Sequence, residues 1–169
     1  MTTFDIYTDG AATMRKVDGE YVREAGGWGY VILQNGEEIM FDYGGLSQTT
    51  NNAMELTAIL NALRKYLSFG YNGQEVRIYS DSAYCIGIFT QWINGWKANG
   101  WTRGKKHEPI ENVGIIKEID NVLEQIERRF CTINWIKVKG HNGNEWNEYV
   151  DKLAVKGKLE CAAGGNIDE

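Results

Sequence analysis

The sequence predicts an α/β fold: a mixed five-stranded sheet with helices on both faces. The sheet combines a three-stranded antiparallel meander with two parallel strands. Short apolar stretches with period-two alternation fill the first third of the chain, punctuated by Gly pairs and by Asn35-Gly36, a strong hairpin signal. From Asn52 the apolar period becomes helical. Helical stretches then alternate with short apolar strands, as βαβ crossovers and parallel pairing require.

Taken in order, Phe4-Asp5-Ile6-Tyr7-Thr8-Asp9-Gly10 alternates bulky and polar residues and reads as the central strand, ended by Asp9-Gly10. Asp-Gly is a common turn pair, because Gly takes positive φ and Asp bonds its own backbone. Residues 10–26 read as a polar, charged connection with no clear period. Gly26-Gly27 leads into a second strand, Trp28 to Leu33, and the third runs from Glu38 to Tyr43. Leu56, Ile59, Leu60, Leu63 and Leu67 share one face of the first long helix, which Gly70 and Gly73 end. Glu75 to Ser80 is the fourth strand, closed by Asp81, and residues 82–101 are helical in pattern and rich in Trp. After a Gly/Lys turn and Pro109, Ile110 to Arg129 repeats the helical pattern. Cys131 to Val138 is the fifth strand, followed by a Gly-rich loop and a last helix from about Trp146 to Leu159. Residues 1–159 are expected to form a single domain and 160–169 a flexible tail.

A chain of 169 residues suits one domain with a substantial core, and 43% hydrophobic content excludes a disordered chain. No apolar stretch approaches the roughly 20 residues that span a bilayer. The N-terminus lacks the basic and apolar regions of a signal peptide. Cys85, Cys131 and Cys161 are odd in number and widely spaced, against a disulfide framework or a zinc site, so a reducing cytoplasm fits. The net charge of −5 does not advertise a nucleic-acid binder, so that function would need a local basic patch or metal ions.

Four acids stand out by position. Asp9 and Asp81 end two strands that a βαβ crossover would set side by side and in parallel, so both carboxylates leave one edge of the sheet. Two like charges this close repel unless a cation lies between them. Glu55, early in the first long helix, and Asp151, early in the last, could reach the same edge. Each acid also has an ordinary role: Asn52-x-x-Glu55 has the form of a capping box, Asp81 is a fair N-cap, and Asp151 could be solvated. Together they are the donors a divalent site needs. An all-oxygen set favours Mg²⁺ or Mn²⁺ over Zn²⁺, and four carboxylates suit two ions about 3.5–4 Å apart.

At this point the residues resemble a family, type 1 ribonuclease H, which cuts RNA within RNA/DNA hybrids. The matching segments are Tyr7-Thr8-Asp9-Gly10, Thr49 to Leu56, Tyr79-Ser80-Asp81-Ser82, Thr90 to Trp96, and Val138-Lys139-Gly140-His141 with Asp151 ten residues later. They fall in family order across residues 4 to about 157. The resemblance implies the ribonuclease H-like fold, a cytoplasmic monomer and a hybrid substrate. It implies Asp9, Glu55, Asp81 and Asp151 as carboxylates holding two Mg²⁺ ions, with Mn²⁺ possible. It also implies His141 as a loop histidine that moves protons or helps product release, a role suited to His near neutral pH. A solvated His in a Gly-rich loop is the plain alternative.

For the substrate, Trp92, Trp96 and Trp101 interleave with Lys97, Arg103, Lys105 and Lys106, a pattern suited to a nucleic-acid strand. At least one of these Trp residues is expected to anchor the core instead. The segment resembles the family's basic protrusion, here less basic, which implies weaker and more salt-sensitive binding. Asn51 and Asn52 match residues beside the minor groove, where amides can bond a 2′-OH. Thr50, Ser82 and Asn112 match positions toward the DNA phosphate. The chain departs from the family in the long charged segment 10–26, in Ala83 where many relatives have Gln, and in Gln48 where a basic residue is frequent. Two other readings stay open: another two-metal nuclease of the same fold, such as a junction resolvase or a transposase-like enzyme, and a non-catalytic hybrid-binding module.

Overall fold

A computed structural model describes residues 2–139 and 144–164. Strands β1 (Thr3–Val17), β2 (Glu20–Gln34), β3 (Glu37–Leu46), β4 (Glu75–Ser80) and β5 (Thr132–Lys137) form one sheet in the order β3-β2-β1-β4-β5. β1 is central, antiparallel to β2 and parallel to β4, and β4 is parallel to β5. The helices are α1 (Asn51–Ser68), α2 (Ala83–Gly87), α3 (Ile93–Ala98), α4 (Val113–Arg128) and α5 (Glu145–Gly164). A π-helical segment, Ile88–Trp92, joins α2 to α3. This is the meander-plus-parallel sheet that the sequence predicts.

The layers follow from strand alternation. Phe4, Ile6, Tyr30, Ile32, Val76 and Ile78 lie in a core with the apolar faces of α1 and α4. Leu56, Ile59, Leu60 and Leu63 of α1 are buried, as their spacing predicts. Ile116, Ile119, Val122, Leu123 and Ile126 of α4 are buried too, and five such side chains contribute on the order of 10 kcal/mol. The opposite face carries a smaller cluster, Tyr7, Val31, Leu33 and Val150, beneath α5. All three cysteines are buried thiols.

Three expectations need correction. First, β1 does not end at Asp9-Gly10. Asp9 pairs with Gly29 and Gly10 with Trp28, and the strand continues to Val17. Residues 10–26 are therefore not an irregular connection but the two arms of a long hairpin. Its turn is Asp18-Gly19, both at positive φ (50° and 84°). That dipeptide is a hairpin signal of the same kind as Asn35-Gly36, hidden by the charges around it. Second, the Trp-rich stretch is not one regular α-helix, because it widens into a π turn. Third, α5 runs to Gly164, past the predicted end at Leu159, with Cys161 of its last turn buried.

Candidate active site

The register of the central pair sets the site. Tyr7 pairs with Tyr79, so two residues further along each strand Asp9 and Asp81 stand level at the carboxyl edge. Glu55 arrives from α1, whose first turn crosses directly over Gly10. A Cβ at position 10 would sit 2.3 Å from the Glu55 nitrogen and 2.4 Å from the Met54 carbonyl carbon, so only Gly permits this approach. Asp151 arrives from the second turn of α5, which lies close on β2. Gly29, the cross-strand partner of Asp9, makes room there, since a Cβ on it would come 2.6 Å from the Leu153 Cβ.

One carboxylate oxygen from each of Asp9, Glu55 and Asp81 lies within 4.8 Å of the other two. Asp151 stands outside that group of three but lies near enough that its carboxylate raises both Asp9 and Asp81. Asp9 and Glu55 are only 4% and 8% exposed. Gly10 N–H donates to Asp9 Oδ1 at 2.9 Å, whereas Glu55 Oε2 is buried with no hydrogen-bond partner among the described residues. A buried, unpartnered carboxylate oxygen facing other carboxylates is costly unless a cation completes it.

The protonation behaviour agrees. Desolvation, reinforced by the charge of Asp81 and the contact with Asp151, pushes the Asp9 carboxyl up to about 7. Burial and the neighbouring Asp9 drive Glu55 well above the usual carboxylate range. Asp81 is raised too, first by burial and then by Asp151, with Lys137 acting in the opposite sense. Acids held near each other at this cost in repulsion are a mark of functional sites. The donor set is all oxygen and fits a hard divalent ion.

The predicted residues Thr50, Asn51, Asn52, Ser82 and Asn112 stand at the starts of helices. Asn51 Oδ1 accepts from Ala12 N–H at 2.6 Å, tying the start of α1 to the β1 arm of the hairpin. Asn52 does not cap α1. Thr50 is the N-cap, its Oγ1 accepting from Ala53 N–H at 3.1 Å, so Glu55 is no part of a capping box and is left for the carboxylate cluster. Ser82, rather than Asp81, caps α2 by accepting from Cys85 N–H at 3.1 Å. Asn112 precedes α4 in a left-handed conformation and donates to the Tyr84 hydroxyl at 3.4 Å.

In the protrusion, Trp92 and Trp96 stand 6.1 Å apart, ring centre to ring centre. Trp92 is 43% exposed, while Trp96 and Trp101 pack partly against the core. Trp92 leans over Gly87, where a Cβ would come 2.6 Å from its ring. Trp92, Trp96, Asn99 and Lys105 line an open groove of about 580 Å³. The basic residues divide. Lys97 is held by Asp120 and Glu124 at 3.0 and 3.2 Å, and Arg103 by Glu108 at 3.6 Å. Lys105 and Lys106 are exposed and make no ion pair among the described residues. His141 lies outside the described residues. Sequence reasoning missed the close-packing role of Gly10, the Thr50 cap and the extended hairpin, of which Asp18-Gly19 was the one legible sign.

Comparison with known proteins places this architecture. LC9-RNase H1, a type 1 RNase H with the type 2 active-site motif, superposes with a TM-score of 0.75 at 25% identity, covering 99% of this chain and 77% of that one. The PFV RNase H domain superposes with a TM-score of 0.73, covering 92% of this chain and 94% of its own. The fold is thus the ribonuclease H-like α/β fold. The sequence model of the RNase H family matches residues 1–158. Ribonuclease H of Wolbachia sp. subsp. Drosophila simulans is 41% identical over 157 residues, 92% of this chain and 95% of that protein. Ribonuclease H of Acetivibrio thermocellus is 41% identical over 156 residues, 92% of this chain and 94% of its own. The chain belongs to the RNase H family, a family of hydrolytic endoribonucleases. No helix among the described residues is long and apolar enough to cross a membrane.

Proposed function

We propose that this protein hydrolyses the RNA strand of RNA/DNA hybrids, with Asp9, Glu55, Asp81 and Asp151 holding two Mg²⁺ ions. The observation that carries this is the meeting of three carboxylates within 4.8 Å, with Glu55 Oε2 buried and unpartnered. Divalent ions bound there supply an activated water and stabilise the leaving oxygen of a phosphodiester, and Mn²⁺ could replace Mg²⁺. In-line attack of water on phosphorus breaks the bond to O3′ and leaves 5′-phosphate and 3′-hydroxyl ends. Asp9, buried and central, would serve both ions, and Asp151 would close the site from α5.

Asn51 and Asn52, at the start of α1, read the minor groove through the 2′-OH that separates RNA from DNA. Thr50, Ser82 and Asn112 face the phosphates of the DNA strand. Trp92, Trp96 and Trp101 with Lys105 and Lys106 grip that strand further out, and Lys97 adds less because its charge is already met. His141 moves protons or helps release product. The enzyme works as a single-domain monomer in the cytoplasm.

The test is cleavage of a labelled hybrid with and without EDTA, beside duplex DNA and a four-way junction. The expected result is metal-dependent cutting of the hybrid RNA strand alone. Preferential cutting of a junction or of duplex DNA would replace this reading with the related nuclease activity. Binding without any cleavage would replace it with a pure binding module.

A further inference from the structure

Past the active-site edge, β1 and β2 run on as a free two-stranded ribbon. The pairing of β1 with β4 stops at Tyr7 and that of β2 with β3 begins at Gly26, so residues 13–24 pair only with each other. The base of the ribbon is fixed: Thr49 N–H donates to the Glu24 carbonyl at 3.1 Å, and Lys158 Nζ to Thr13 Oγ1 at 3.2 Å. A register shift between Ala12 and Met14 marks where it leaves the sheet.

The ribbon sorts its charges by face. Cross-strand pairs set Met14 beside Arg23 and Lys16 beside Tyr21. Alternation puts these four on one face. Lys16 and Arg23 make no ion pair among the described residues. Tyr21 is 68% exposed, with Lys16 Nζ 5.9 Å from its ring centre. Arg15 is on the other face and is held by Glu24 at 2.7 Å. The remaining acids, Asp18 and Glu20, lie in the turn and opposite Val17. The cationic face continues the one on which Gly10 and Ala12 meet α1, beside Asn51.

We propose that this ribbon is a second substrate grip: Lys16 and Arg23 meet phosphates of the hybrid beyond the cleavage site, and Tyr21 packs on its sugars or bases. The proposal rests on the hybrid-cleavage reading above. Charge complementarity and continuity with the catalytic strand select this occupant. Geometry also sets its reach. Lys16 lies seven residues beyond Asp9, about 23 Å along an extended strand, or about seven base steps of duplex. The grip therefore acts only on hybrids that extend that far past the scissile phosphate.

The test uses two hybrids, each with a short ribonucleotide window that fixes the cut. One ends about three base pairs from the window and the other extends about fifteen on both sides, bracketing that reach. The variant is Lys16→Ser/Tyr21→Ser/Arg23→Ser, with Arg15→Ser/Glu20→Ser on the opposite face as control. The triple variant should raise KM for the long hybrid about 10-fold, leave kcat and the short hybrid unchanged, and flatten the log–log salt dependence by about 1.5, the value for two phosphates left unneutralised. The control should match the parent. An unchanged KM on the long hybrid, or equal losses on both hybrids, overturns the proposal while leaving hybrid cleavage intact. If the parent cleaves neither hybrid, the catalytic reading fails separately. Binding of the long hybrid in EDTA then decides the grip, and equal dissociation constants for parent and triple variant sink it.

Discussion

Gly10 and Glu55 meet backbone against backbone: a Cβ on Gly10 would lie 2.3 Å from the Glu55 nitrogen. The central strand and the first helix thus lock together one residue beyond Asp9. Gly10 N–H also donates to Asp9 Oδ1 at 2.9 Å. A residue that looks like turn punctuation is the joint that holds two of the carboxylates in register.

Gly10→Ala tests that joint. The clash is with main-chain atoms of Met54 and Glu55, which no rotamer change can relieve, so α1 must back away. Overpacking of this kind costs about 1–3 kcal/mol. A displacement near 1 Å of a positioning group lowers turnover about 100-fold. Thermal melting and steady-state hydrolysis together check both. Full activity in a normally folded Gly10→Ala protein would contradict the close approach.

The acidic cluster predicts an inverse pH dependence of stability in EDTA. Asp9 holds its proton up to about 7 in the folded protein against 3.8 for the unperturbed group, because burial and neighbouring acids disfavour its charge. Between those values the folded state binds more protons than the unfolded one, so unfolding free energy falls as pH rises through that window. Metal-free protein should therefore be more stable near pH 5 than near pH 8. Asp9→Asn should remove much of the loss, raising stability at pH 8 by on the order of 3 kcal/mol and Tm by roughly 5–10 °C. A lower Tm for Asp9→Asn in EDTA at pH 8 would contradict this electrostatic account.

Much of this arrangement is legible from residue types and spacing alone, and the parts that are not have physical reasons. The faces of α1 and α4 follow from helical periodicity, since burial of Leu63 or Ile119 depends on little beyond position along the helix. The level placement of Asp9 and Asp81 follows from a crossover that makes two strands parallel neighbours. The hairpin beyond Gly10 was hidden because its arms are exposed on both faces and carry no burial pattern, leaving Asp18-Gly19 as the sole signal. The cap of α1 is ambiguous where Thr50, Asn51 and Asn52 stand in a row, since each can accept a backbone hydrogen bond. Which lysines stay free depends on α4, far along the chain, and no local pattern encodes that.

Divalent metal should reverse the stability trend. Mg²⁺ bound among the carboxylates neutralises their repulsion, so saturating Mg²⁺ should raise the Tm of the parent at pH 8. At about 100 times the dissociation constant, single-site linkage gives about 2.7 kcal/mol. Asp9→Asn should gain much less, lose turnover by about 100- to 1,000-fold, and still bind hybrid. Equal Mg²⁺ stabilisation of both proteins would place the ions elsewhere.

The protrusion makes the last prediction, which separates residues of equal formal charge. Lys97 is gripped by Asp120 and Glu124 at 3.0 and 3.2 Å, so a phosphate could gain it only by breaking those pairs. Lys105 and Lys106 have no such competitor among the described residues, and Lys105 lines the groove beside Trp92. Each phosphate that a removed cation leaves unneutralised should flatten the log–log salt dependence of binding by about 0.7–0.9. Lys105→Ala/Lys106→Ala should therefore raise KM several-fold at moderate salt and reduce that slope by about 1.5. Lys97→Ala should leave the slope unchanged. Its effect belongs in stability instead, where removing the cation leaves Asp120 and Glu124 facing each other, at a cost of about 1 kcal/mol. Titrating hybrid binding against salt for the parent and the two variants measures all three slopes, and a slope reduced by Lys97→Ala alone would show that the substrate displaces the α4 carboxylates.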